Sequence, residues 1–585
     1  MQPGKFHLRI TLPILFSLMA LIVTACGGSA QTTANTASKA PDNQQILITP
    51  ITQVSDLTTF DPALATDSSA IDPINMVFSG LVQLDDKLQV HDQLAQSHSV
   101  SEDGLTWTFK LKPNLKFSDG APLTSADVAY SIDRALKPEL KSTVSTLYLG
   151  LIQGAEERNE GKLKSLINYS LLTPDPQTII IKTSKRAAYF LQELTYQTSY
   201  VVEKSMIDKY GDYFADHLSE GIGGDGPWKV EKYTHGKEVI FVPNPNFEGP
   251  KPQLKKVIMQ IYKASDTTYK AYQTNNLDKA LVPSIQLANA KKLPNGQLHH
   301  LPRLQVYFYG MNELAKPFDN LKIRQAFALA IDKESIVHNV YKDLYIATNH
   351  IIPEGMPGYN PALTGPAGHS STKADPELAK KLFQEGMQEA GYTPATFPSI
   401  TFTVSTGGSG DTRDEYAAAQ QMWQSTLGVS VKIQDIDFST LLDNRTNTLH
   451  NPKGMQIWGL SWGADYPDPQ NWLTLLFSKD SAKNAYNYGQ NNTPQNAQQE
   501  QMQKLMAQAD GNPDQAARLK QYNEAEQALV NDVVWIPIYQ DALAYVYKPC
   551  IVGIADNALD VIPQNDWGSI YKTTATPCAN VSHYQ

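Results

Sequence analysis

Strand and helix signals alternate along this chain from Ile46 onward, with no clear internal repeat and no long low-complexity stretch. That alternation constrains the fold more than any other feature. Strands and helices mixed at short intervals bury their apolar faces in layered α/β or α+β domains. Trp107, Phe109 and Leu111 alternate with Thr108, Lys110 and Lys112, the period of a half-buried strand. Thr124 then stands as an N-cap with Asp127 at the capping-box position, and Val128, Ile132 and Leu136 follow at helical spacing. Val257, Met259 and Ile261 mark another strand. Asp319-Asn320 opens a helix with the stripe Ile323, Ala326, Phe327 and Ala330. Leu378, Leu382 and Phe383 share one side of a further helix, for which Gly391 is the stop. Tyr416, Ala419, Trp423 and Leu427 form another stripe, followed by the strand Val429, Val431, Ile433. The 585 residues allow about three to five domain-sized units. With 41% hydrophobic and 18% charged residues, a large core is expected and wholesale disorder is not.

The N-terminus has the parts of a secretory signal. Lys5 and Arg9 supply positive charge, and Ile10 to Val23 is mainly apolar, broken by Thr11, Pro13 and Ser17. That run is short and interrupted against the ~20 residues of a membrane span. Val23-Thr24-Ala25-Cys26-Gly27-Gly28 resembles a bacterial lipoprotein box. The resemblance implies a diacylglycerol on the Cys26 sulfur and cleavage before it. Ser29 to Gln45 reads as a flexible polar tether. Cys550 and Cys578 are the remaining cysteines, and an exported chain with two spare thiols favours a disulfide. It would close a loop of roughly 28 residues and contribute roughly 3–4 kcal/mol.

Charge narrows the partners. Lys and Arg number 49 against 59 Asp and Glu, a net −10, whereas a general nucleic-acid binder needs a basic face. Enzyme and cofactor motifs fail on context. Gly221-Ile-Gly223-Gly-Asp-Gly226 matches G-x-G-x-x-G, but Pro227-Trp228-Lys229-Val230 behind it looks like a strand, not the helix a dinucleotide site needs. Gly407-Gly-Ser409-Gly-Asp411 ends in Asp and is no nucleophile elbow. There is no P-loop Lys motif and no H-E-x-x-H. His299-His300 has no partners at metal-ligand spacing, so neither a metal nor another cofactor is expected.

Several blocks together resemble one family. Residues 107–131, from Trp107 through Phe117-Ser-Asp-Gly-Ala-Pro to Asp127-Val-Ala-Tyr-Ser131, resemble the signature of bacterial extracellular solute-binding proteins of the oligopeptide/dipeptide/nickel type. Phe60-Asp61-Pro62, Gly226-Pro227-Trp228 and Asn244-Pro245-Asn246-Phe247 are similar to further landmarks of that family. So are Tyr309-Gly310-Met311-Asn312, Pro317-Phe318-Asp319-Asn320 and Trp462-Gly463-Ala464-Asp465-Tyr466-Pro467-Asp468-Pro469. The blocks occur in family order over about residues 46–550.

The resemblance implies an α/β, two-lobed periplasmic-binding-protein-like fold, type II-like, with an extra subdomain in lobe I. The expected division is a signal peptide over 1–25, a lipidated Cys and tether over 26–45, and lobe I over 46–311 with its subdomain at about 90–220. Lobe II follows over 312–535, and 536–585 return to lobe I and form the tail. It further implies a non-enzymatic, monomeric, lipid-anchored protein outside the cytoplasm that clamps a peptide between its lobes and hands it to an ABC permease. Oligosaccharide, nickel chelate or haem on the same fold, and a non-transport sensor lipoprotein, are the alternatives; an exported hydrolase lacks a nucleophile or metal constellation. Asp465 is implied to pair with the ligand's α-ammonium, a charge-assisted contact that is strong in a closed, dry cleft. Trp462 and Tyr466 flank it as candidate walls, with Trp458 as core. Asn312 and Tyr309, at the first crossover, are candidate ligand contacts. Thr66-Asp67-Ser68-Ser69 is a candidate for main-chain pairing. Arg413, Arg445 and His450 are, by region alone, candidates for the ligand carboxylate.

Overall fold

Alternation places Trp107, Phe109 and Leu111 on the inner face of the strand Thr106–Leu111, which pairs on both sides, with Ala95–Val100 and Thr178–Lys182. The capped helix follows as Ser125–Ala135, where the Asp127 carboxylate accepts the Thr124 N–H at 2.8 Å. Asp, one methylene shorter than the usual Glu, thus completes the N-terminal return contact. The structure, a computed structural model, describes residues 37–585 except 53, 66, 67, 222, 295 and 480. Cys26, the signal segment and most of the tether therefore lie outside the described residues, as do Thr66 and Asp67.

Three bodies are built on these elements. The first has a four-stranded sheet in the order Ile46–Thr52, Lys256–Tyr262, Glu238–Pro243, Trp228–Thr234. The second is the sheet Ala95–Val100, Thr106–Leu111, Thr178–Lys182, Leu171–Asp175, whose core joins Phe109, Ile132 and Tyr148 to the sequence-distant Tyr466. The third is a seven-stranded mixed sheet that includes Ile400–Val404, Val431–Asp435 and Ile457–Gly463. Its helices Leu321–Leu329 and Gly410–Leu427 are capped by Asn320 and Ser409 and bury the expected stripes of Ile323, Ala326, Phe327 and of Tyr416, Ala419, Trp423.

Two long strands, Leu298–Met311 and Trp535–Tyr547, thread the first body and the third. Leu298–Pro302 pairs with Ala542–Val546, and Ala544 and Val546 pack with Ile46 and Ile258 of the first body. Val306–Gly310 pairs with the Trp535–Gln540 end, whose side chains belong to the cores of the third. Between the two halves the pairing register shifts, from Pro302 to Val306. At the far end, Cys550 and Cys578 are joined by a disulfide. No helix of the described residues is long and apolar enough to cross a membrane.

The glycine cluster at 221–226 has a packing role. A Cβ on Gly224 or Gly226 would lie 2.3 Å from the Val77 carbonyl oxygen or 2.6 Å from that of Met76. The chain thus crosses the end of the helix Ser68–Val77 at a distance only glycine permits, then enters the strand Trp228–Thr234.

Candidate ligand-binding site

A cavity of about 450 Å³ opens between the first and third bodies, within the usual range for small-ligand sites. From the first body it is lined by the helix Ser68–Val77, while Arg303 comes from one crossing strand and Lys279 from the strand Lys279–Leu281, paired with the other; Ala464 and Asp465 come from the third. Of the residues expected to touch ligand, Asp465 and, from the segment 66–69, Ser69 reach this cavity.

Its loop explains how. The strand Ile457–Gly463 ends, and the chain turns through Asp465 into the short helix Pro469–Asn471. Asn471 ties the turn together. Its Oδ1 accepts the Asp465 N–H at 3.1 Å, and its Nδ2 donates to Asp465 Oδ2 at 3.1 Å. Trp462 Nε1 donates to the Asn471 carbonyl at 3.1 Å, so this indole braces the brace. Asp468, three residues on, is engaged elsewhere: both its oxygens accept from the Arg518 guanidinium, at 2.5 and 2.8 Å. The two acids of the block therefore separate into a structural one and an available one.

Burial pushes the Asp465 carboxyl above the usual range, opposed by hydrogen bonds from Asn471 and Tyr148 and by the more distant Lys483 charge. No cation forms an ion pair with it among the described residues. A carboxylate with two neutral donors and a cavity in front can accept an ammonium without losing its existing partners.

The other expected contacts are placed elsewhere. Tyr309 is fully buried, and its hydroxyl donates to Glu415 Oε1 at 2.8 Å. Asn312 is buried too; its Nδ2 donates to the Asn451 carbonyl at 2.9 Å and its Oδ1 accepts from Asn487 at 2.8 Å. Both are buried residues beyond the crossing and do not line the cavity. Tyr466 is buried in the seam with the second body, its ring parallel to that of Tyr189 at 6.2 Å and its hydroxyl donating to Gln470. Trp462 packs half-buried on the core and supports Asn471 instead of forming a wall. Trp458 is core, stacked on Tyr486 at 5.4 Å. Arg445 is buried under Tyr486 and donates to the Lys483 carbonyl, while Arg413 and His450 are exposed away from the cavity. His299 pairs with Asp556 at 2.6 Å. Among the described residues, the one group with metal-ligand geometry is Asp278 with the two disulfide-bonded cysteines, whose sulfurs are not free to ligate.

Asp72, Lys279 and Arg303 are charged cavity residues that lie outside the family blocks. The spacing of Ser69, Asp72 and Met76 on one helical face is the signal that could have exposed the first.

Residues 89–484, more than half of the chain, match the model of the bacterial extracellular solute-binding proteins, family 5. The chain belongs to that family. It is therefore a solute-binding protein of the space outside the cytoplasm, not an enzyme. The oligopeptide-binding protein OppA of Bacillus subtilis is 27% identical over 91% of this chain and 93% of its own. The dipeptide-binding protein DppE of the same organism is 27% identical over 86% and 89%. Among solved structures, the unliganded open form of the murein tripeptide-binding protein MppA superposes with a TM-score of 0.75 at 24% identity, covering 92% of this chain and 99% of that one. The Haemophilus influenzae OppA complex with the peptide RPPGFSPFR gives 0.67 at 22% identity, covering 91% and 99%. These likenesses establish the two-lobed α/β architecture.

Proposed function

We propose that this protein captures peptides between its two lobes and presents them to an ABC importer, tethered to the membrane by a lipid on Cys26. One observation carries the cargo assignment: Asp465 faces the inter-lobe cavity with its carboxylate held by neutral donors and, among the described residues, in no ion pair, Lys483 acting on it only through space. That arrangement suits the α-ammonium, the one cation common to unblocked peptides. The names of the relatives, an oligopeptide binder and a dipeptide binder among them, agree with it.

In this reading lobe I comprises the first body and, as its extra subdomain, the second; lobe II is the third. The hinge is placed at the register shift between Pro302 and Val306 and opposite it near Gln540, a few residues from the expected crossings at 312 and 536. Tyr309, Met311, Ile536 and Ile538 share one core, so the chain has already entered lobe II at those points. Ligand favours closure because it touches both walls only when the lobes meet. The protein works as a monomer.

Native mass spectrometry of the purified protein tests the cargo. Retained short peptides are the expected result; a retained glycan, haem or metal chelate would replace this reading. Cys26→Ser should release the protein from membranes, and its retention there would exclude the anchor.

A further inference from the structure

The cavity holds more negative charge than one α-ammonium can answer. Its cations are already paired: Lys279 Nζ lies 2.8 Å from Asp560 Oδ1, and Arg303 Nη1 lies 3.2 Å from Asp541 Oδ2. Asp85, at its rim, is bound into its own turn by the N–H groups of Lys87 and Gln89 and by His91 Nε2. Two carboxylates are left, Asp465 on the lobe II side and Asp72 on the lobe I side.

Asp72 sits on the helix Ser68–Val77, whose Ser69, Asp72, Asn75 and Met76 face the cavity. Its neighbour Asn75 accepts the Tyr200 hydroxyl at 2.8 Å. Asp72 forms no hydrogen bond and no ion pair with any described residue, and Lys279 and Arg303 act on it only through space. Asp72 is half-buried and lines the cavity. An anion so placed is costly unless paired.

Resting on the peptide reading above, we propose that Asp72 is a second cation subsite that receives a basic side chain of the cargo, so that the preferred solutes are peptides containing Lys or Arg. An α-ammonium at Asp465 and a side-chain cation at Asp72 would together neutralise both free carboxylates. Burial and the neighbouring Asp560 charge push the Asp72 carboxyl up to about 7, against the opposing charges of Lys279 and Arg303, and a bound cation would favour its ionised form.

The test offers the purified, ligand-stripped protein an equimolar pool of three- to five-residue peptides. Each Lys or Arg peptide is matched by a norleucine or citrulline counterpart, and capture is read by native mass spectrometry. Enrichment of the basic members by about tenfold or more is expected, the size of one charge-assisted contact. In Asp72→Asn and Asp72→Ser the basic-to-neutral ratio should fall toward one. Equal capture of basic and neutral members by the unaltered protein overturns the subsite, and so does enrichment that survives both substitutions. Capture of no peptide at all would instead overturn the peptide reading on which it rests. The unaltered protein alone decides the preference, so a variant that fails to fold does not shield the proposal.

Discussion

Asp465, half-buried, and Glu415, fully buried, are both acids of the third body, and both accept from tyrosine. Glu415 Oε1 accepts the Tyr309 hydroxyl at 2.8 Å, while Oε2 accepts those of Tyr341 and Tyr539 at 2.5 and 3.1 Å. Burial raises its carboxyl, and the three hydroxyls offset part of that rise. Asp465 has Tyr148 and Asn471 and then open space. The difference is completeness. A carboxylate saturated by protein donors locks a core, whereas one left short of donors beside a cavity is equipped to bind.

Removing the saturated acid should show in stability. Glu415→Ala leaves three buried hydroxyls without their acceptor, and denaturant unfolding should register a loss of about 3 kcal/mol or more. The ratio of free-amine to N-acetylated peptide affinity should stay as it was. A loss under about 1 kcal/mol would erase the contrast between the two acids.

Asp465→Ala should act on binding. Calorimetry should find free-amine peptides bound roughly 10- to 100-fold more weakly, the scale of a hydrogen bond to a charged group, with N-acetylated peptides nearly unaffected. If both classes weaken alike, Asp465 does not read the amine. Tyr148→Phe is the milder version. It keeps the ring against Tyr196, with centroids 3.6 Å apart, and deletes one donor, so a loss of about 3- to 10-fold confined to free-amine peptides is expected.

Proton linkage sharpens the comparison further. Asp465 must be ionised to hold an ammonium, and its pKa is raised, so free-amine affinity should fall with decreasing pH before an ordinary carboxylate would protonate. N-acetylated peptides should lack that dependence. At Asp72, flanked by Asp560, Lys279 and Arg303, a bound cation favours the charged form and lowers a pKa near 7. Basic peptides binding at pH 7 should release a fraction of a proton, seen as a calorimetric enthalpy that changes with buffer ionisation heat. A buffer-independent enthalpy would count against contact with Asp72.

Motif-based reading located Asp465 because its block is contiguous: Trp462, Asp465 and Asn471 arrange one another within ten residues. Tyr309 and Asn312, singled out by position near a crossover, are buried and do not line the cavity, because that position says nothing about which side of a strand faces it. In the strand Leu298–Met311, Arg303 lies within the register shift and lines the cavity, whereas Tyr309 lies beyond it and turns into the core of the third body. Tyr466 was misread for a similar reason. Its partners Tyr148 and Tyr189 lie hundreds of residues away, and only the assembled seam buries it.

The sequence by itself determined the alternating α/β elements, their caps and stripes, the family and the acid at its signature loop. These depend on neighbours within a turn or two, or on contiguous blocks, so they are written locally. Tertiary structure alone decided which charges are already answered. Lys279 meets Asp560 from 281 positions away and Arg303 meets Asp541 from 238, while Asp72 forms no ion pair with a described residue. Whether a charged group is spare is a property of everything packed around it, and linear order does not carry that information.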